Sequence, residues 1–286
     1  MNDSTPSKGI FHGTDEIISS FLGLGSGKTL KQLSTYRRLS PAGKGTSDFE
    51  TLVSNLYREI EKNRSDHTPS KENWRSEGQT TLDPNNRSPE VLLERAIAIL
   101  GERKILKGWF NQVPVASGLV DGWADRRAAI DLVHHRNDRA TFVELKWESD
   151  TPAFAAFEIL LYGLAYLFCY VHRQAFGYES KKLMKVKKVS LRVLAPHPYF
   201  ENSDLTWMGQ GLDEGIQTLA STKANDALSM DFGFLAFPSS FRLPFETGEG
   251  VLTMRDLQKD DEECRLLVSA ISNLDTVWRH GETTTL

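Results

Sequence analysis

Cysteine is scarce. Cys169 and Cys264 are the only two in 286 residues, and no CxxC spacing joins them. That excludes a disulfide framework and a cysteine-built zinc ribbon, and it fits a reducing compartment, the cytoplasm. Histidine offers no alternative, because no HxxxH or HExxH spacing occurs. His134 and His135 adjoin on a strand end and so point to opposite faces, which argues against a zinc hydrolase. There is no GxSxG elbow, and neither cysteine has a recognisable histidine partner. The start of the chain, MNDSTPSKGIFHG, shows no basic segment followed by an apolar run, so nothing points to secretion. No internal repeat is visible.

What is present is globular material: 40% apolar and 25% charged residues, with 6 Trp, 7 Tyr and 15 Phe. A sizeable core follows, and wholesale disorder is excluded. The net charge of −4 argues against a protein that coats nucleic acid in bulk, but it hides an asymmetry. Residues 1–85 carry 11 basic and 11 acidic side chains, residues 86–200 carry 17 and 12, and residues 201–286 carry 6 and 15. Only the middle segment has a field that attracts a polyanion.

Residues 1–87 are polar, with helical spacing at Ile17, Ile18, Phe21 and Leu22 and again through Ser47–Lys62. They read as a loosely packed, partly disordered arm before a domain at 88–286. Within that domain Ser88 and Pro89 open a helix as N-cap and first residue. Strands follow at about 110–117, 128–134 and 140–147, then a helix from Pro152 to about Arg173. Further on, a strand spans 186–195, a helix 205–221, a strand 230–237 and a last helix 255–278. The fold class is α/β, a mixed sheet flanked by helices.

The chemistry concentrates on the two strands joined by the polar link 135–139. If the turn centres between Asn137 and Asp138, cross-strand partners share the index sum 275, and Asp131 faces Glu144. Such partners have Cβ atoms about 4.5–5.5 Å apart. Lys146, two residues beyond Glu144, shares its face. Two close carboxylates raise each other's pKa unless a cation stands between them. Hard oxygen donors of this kind suit Mg²⁺ or Mn²⁺, with the Leu145 carbonyl as a further ligand. An ion so held activates water and neutralises charge on a phosphodiester, while Lys146 orients or deprotonates that water. The plainer reading of the same residues is a cross-strand salt bridge.

This constellation resembles the PD-(D/E)xK nuclease superfamily, with its hairpin Asp, its (D/E)xK triplet and its preceding helix. Asp131 and Glu144-Leu145-Lys146 match the pattern, and Ile130 stands where the motif has Pro. The resemblance implies a restriction-endonuclease-like αβββαβ core over about residues 88–238, with Glu94 as the helix carboxylate supporting the metal. Repair exonucleases of this superfamily carry Gln-x-x-x-Tyr on the following helix. Glu158 and Tyr162 resemble that pair, with Glu in place of Gln. The implied activity is Mg²⁺-dependent hydrolysis of nucleic acid, DNA in preference to RNA, in repair or defence. A partner protein or a homodimer stays open.

Weaker signals surround this core. Arg126 and Arg127 precede the Asp131 strand, and Lys181, Lys182 and Lys185 form a basic loop; all five are candidates for gripping phosphates. Gly25-Ser26-Gly27-Lys28-Thr29 looks like the end of a phosphate loop, but its spacing is short and no strand precedes it. The apolar run 151–171 is long enough to cross a bilayer, yet Glu158 within it favours a buried helix and no membrane. The alternatives to a nuclease are therefore a non-cutting nucleic-acid-binding module on the same fold and, further off, a nucleotide-binding protein.

Overall fold

A computed structural model of the chain describes residues 8–24, 45–81, 86, 88–120, 127–201, 203–243, 262–279 and 282–283. Its centre is one mixed sheet in sequential strand order. The strands are β1 (Trp109–Pro114), β2 (Ala129–Arg136), β3 (Arg139–Leu145), β4 (Lys188–Pro196), β5 (Ser229–Phe237), β6 (Asp275–Arg279) and the two-residue β7 (Glu282–Thr283). The helices are α1 (Thr14–Phe21), α2 (Thr46–Asn63), α3 (Pro89–Glu102), α4 (Pro152–Val171), the single-turn α5 (His197–Phe200), α6 (Thr206–Ala224) and α7 (Glu262–Ser272).

Strands β1, β2 and β3 form an antiparallel meander. Strands β3, β4 and β5 run parallel, joined by crossovers through α4 and α6, and β6 returns antiparallel to β5. One sheet face packs against α4 and α6 through Val133, Phe142, Val189, Leu191 and Val193. The other packs against α3 and α7 through Leu132, Val143, Leu145 and Leu194. Adjacent residues of one strand thus serve opposite layers, as the pleat requires.

Helix α4 begins where Thr151 accepts a hydrogen bond from the Phe154 N–H and Pro152 occupies the first helical position. It is the one helix among the described residues that is long and apolar enough to cross a membrane, and most of it is buried inside the protein. Covered by the sheet, α2 and α6, it is a core helix.

Two expectations need correction. The segment before residue 88 is not loosely packed where it is described. Phe49, Leu52, Val53, Leu56, Tyr57 and Ile60 of α2 are buried in the main core with Ile18 of α1 and Trp74. Gly211 of α6 leaves no room for a side chain beneath the Phe49 ring. Nor does the last helix run to 278. It ends at Ser272, and Asp275–Arg279 pairs with β5 instead, because Thr276, Val277 and Trp278 suit a strand whose partner is waiting.

Candidate functional site

The β2–β3 register carries the index sum 275 from Arg136↔Arg139 to Leu132↔Val143. The two residues Asn137 and Asp138 make the turn, with Asn137 in the left-handed region at φ 57°. One step past the last ladder pair, backbone pairing stops. The Asp131 carboxylate replaces it, accepting the Leu145 N–H at 3.0 Å. On the other edge of β3 the Lys146 N–H donates to the Leu194 carbonyl of β4 at 2.9 Å. Backbone groups of successive strand residues point to opposite edges, so the Leu145 carbonyl lies on the Asp131 side. The strands therefore part where the carboxylates stand.

A cleft of about 280 Å³ opens there. Among the described residues Glu90, Glu94, Asp131, Glu144 and Glu158 line it with two cations, Lys146 and Arg127, and Arg95 pairs with Glu94 at 2.9 Å. Lys146 is 7% exposed and Glu144 and Glu94 are 4% exposed each. The Lys146 ammonium lies 2.9 Å from Glu144, 3.1 Å from Glu158 and 3.5 Å from Asp150. Burial alone would discharge this lysine; Glu144, Glu158 and Asp131 overcome it and hold the ammonium charged. Tyr162 reaches Glu158 at 3.4 Å from one helical turn on.

The carboxylates carry the opposite strain. Burial pushes Asp131 up to about 6, despite the relief from Lys146 and the Leu145 N–H. Glu144 is raised well above the usual carboxylate range by burial, then by Asp131 and Glu158. Glu94 rises to about 7 through burial and the charge of Asp131, although Arg95, Asn111 and Gln112 oppose the shift. Asn111 donates to Glu94 at 2.6 Å and Gln112 at 3.1 Å. Gln112 interrupts the β1 ladder with φ 51°, a backbone state that side chains other than Gly adopt at a cost of about 1–3 kcal/mol. The distortion sits beside the cleft.

Glu90 is a further member that the sequence reading passed over. It accepts the Trp147 N–H at 2.8 Å and the Ser149 hydroxyl at 2.6 Å, which ties the segment after β3 to α3. Its position one helical turn before Glu94 is the signal that could have found it. Asp150 was passed over as well. Arg127 lies exposed at the cleft mouth, whereas Arg126 falls outside the described residues. Lys28 and its glycine-rich neighbours also fall outside them. Lys181, Lys182 and Lys185 are not at the cleft. They precede β4, whose start pairs with Arg139 at the opposite end of β3.

Among the described residues, no three His, Cys, Asp or Glu side chains stand together as a ready metal cage. Lys146 is wedged between Glu144 and Glu158 instead. In chemistry the donor set fits Mg²⁺ or Mn²⁺, because it is all oxygen and, among the described residues, holds more carboxylates than cations. Comparison with known proteins finds no family model, no curated protein and no solved structure that matches this chain.

Proposed function

We propose that the chain is a metal-dependent phosphodiesterase of the PD-(D/E)xK kind, acting on DNA. One observation carries the reading. Asp131 and the Glu144-Leu145-Lys146 triplet meet in a cleft where, among the described residues, five carboxylates face Lys146, Arg127 and the Arg95 that pairs with Glu94. The element order α3, β1, β2, β3, α4, β4 is the order the superfamily resemblance implies, and it supports a restriction-endonuclease-like core.

Asp131, Glu144 and the Leu145 carbonyl would hold Mg²⁺ or Mn²⁺, with Glu94 supporting it. When bound, the ion supplies a polarised water and neutralises charge on the scissile phosphate. Lys146 keeps its proton among three carboxylates, so it acts as a fixed cation that positions water and steadies the growing negative charge, not as a base. Glu94, held up to about 7 by burial and the charge of Asp131, would give up its proton when the ion binds beside it. Tyr162 and Glu158 hold Lys146 in place from α4. Arg127 is placed to meet the phosphate backbone at the mouth. Water adds to phosphorus, one P–O ester bond breaks, and the leaving alkoxide takes up a proton.

A second reading has its own observation. The closed Lys146–Glu144–Glu158 ion pairing also suits a module that binds nucleic acid without cutting it. Purified protein incubated with linear and circular DNA, in Mg²⁺, Mn²⁺ or EDTA, separates the two. The nuclease reading expects products from the parent with metal, and none in EDTA or from Glu144→Ala and Lys146→Ala. Products of equal amount from parent and variants would remove it. DNA binding without products in any metal would favour the module.

A further inference from the structure

We infer that the end of the sheet remote from the cleft is a second contact surface, built from two loops and shaped to grip the phosphodiester backbone of DNA. The loops are the β2–β3 turn, 136–139, and the segment 181–188 before β4. Together they contain seven Lys or Arg and one Asp. Their backbones are tied to each other: the N–H groups of Lys187 and Lys188 both donate to the Asp138 carbonyl, at 2.7 and 3.2 Å.

The register then does something costly. Arg136 pairs with Arg139, and Arg139 pairs with Lys188, so three cations stand in a row across three strands on one face. Like charges directly opposite in a sheet destabilise it. Among the described residues only Lys188 of the three has a carboxylate, Asp231 at 2.7 Å, and Asp231 is shared with Arg192. Arg136, Arg139, Lys182, Lys185 and Lys187 are all exposed, and none is ion-paired among the described residues. A lysine run kept for solubility has no need of a partner loop that stacks arginines beside it. An anionic polymer lying across the row supplies the missing counter-charges.

This surface is distinct from the cleft. Arg139 and Glu144 are five residues apart along β3, about 17 Å at 3.3 Å per residue. Lys181 contributes less than its neighbours, since its ammonium is bonded to the Lys71 carbonyl at 2.6 Å. The choice of DNA as the polymer rests on the phosphodiesterase reading of the cleft; the charge ladder does not.

The test is fluorescence anisotropy of a short labelled DNA duplex in EDTA, over a series of salt concentrations. The comparison is between the parent, Arg136→Glu/Arg139→Glu, Lys182→Glu/Lys185→Glu and Arg136→Lys/Arg139→Lys. Each Glu pair should lower affinity at least roughly tenfold and flatten the salt slope by about 2. The Lys pair should bind as the parent does. The parent should bind whether or not it cuts when Mg²⁺ is added, so that a chain which binds here but never cuts sinks the catalytic reading alone. Unchanged DNA affinity and slope in both Glu pairs would overturn the proposal. So would a loss confined to phosphatidylserine vesicles, which would make the surface a lipid contact. Circular dichroism confirms that the exposed substitutions leave the fold intact.

Discussion

The two ends of the β2–β3 hairpin hold charge in opposite ways. At the turn, Arg136 and Arg139 stand in solvent, where the high dielectric of water weakens their repulsion without removing it. At the open end, Asp131, Glu144 and Lys146 are withdrawn from water, and each alters the proton affinity of the others. The turn end carries cations in water and the open end mostly carboxylates held away from it, so composition and burial together set the two ends apart.

That contrast breaks most visibly in catalysis. Lys146→Ala or Glu144→Ala should lower metal-dependent DNA hydrolysis by about 10³-fold, measured as kcat. Arg136→Glu/Arg139→Glu should leave kcat near the parental value and raise KM, more so at low salt. If the turn variant lost kcat as well, the two ends would not be separate devices.

Next in size is the pH dependence of stability in EDTA. Glu94 titrates at about 7 in the folded chain against an ordinary 4.5, so the folded state binds more protons than the unfolded state between those values. Stability must then fall as pH rises from 4.5 to 7, by about 3 kcal/mol for this group. Glu94→Gln should remove that part of the fall in denaturant titrations. An unaltered pH profile in the variant would place the strain elsewhere.

Mg²⁺ should reverse part of the same strain above pH 7. At a hundredfold excess over its Kd it should stabilise the folded chain by about 2.7 kcal/mol, read as a rise in Tm. Asp131→Asn and Glu144→Gln should abolish the rise, and the turn variants should not. The smallest expected effect lies in the ladder itself. Arg139→Ala relieves the opposed arginine and should raise stability by about 0.5 kcal/mol while weakening DNA binding. A loss of stability would mean that the row of cations is supported by contacts within the protein.

Much of the candidate site was legible in the chain. The hairpin could be registered from an index sum because its link is polar and its turn is two residues long, and pairing is periodic once the turn is placed. Glu158 and Tyr162 could be put on one face because helical spacing fixes them. Glu90 escaped notice because its partners, the Trp147 N–H and the Ser149 hydroxyl, lie 57 and 59 residues away, and its spacing from Glu94 is its one local signal. The helix α2 was visible as a periodic segment, but not its burial, which depends on the small residue Gly211 of α6 lying under Phe49. The last helix was drawn too long because Asp275–Arg279 takes its strand form from β5.

By itself, the order of residues determined the alternation of helices and strands and the meeting of Asp131 with Glu144 and Lys146, since short-range periodicity is enough for both. Only the tertiary structure decided how many carboxyls share one buried cleft, and which loop stacks its lysines beside Arg139. Those outcomes depend on the parallel pairing of β3 with β4 and on the packing of α3 and α4 against opposite layers. Such contacts join residues far apart in the chain, and the protein's electrostatics follow from where they place water.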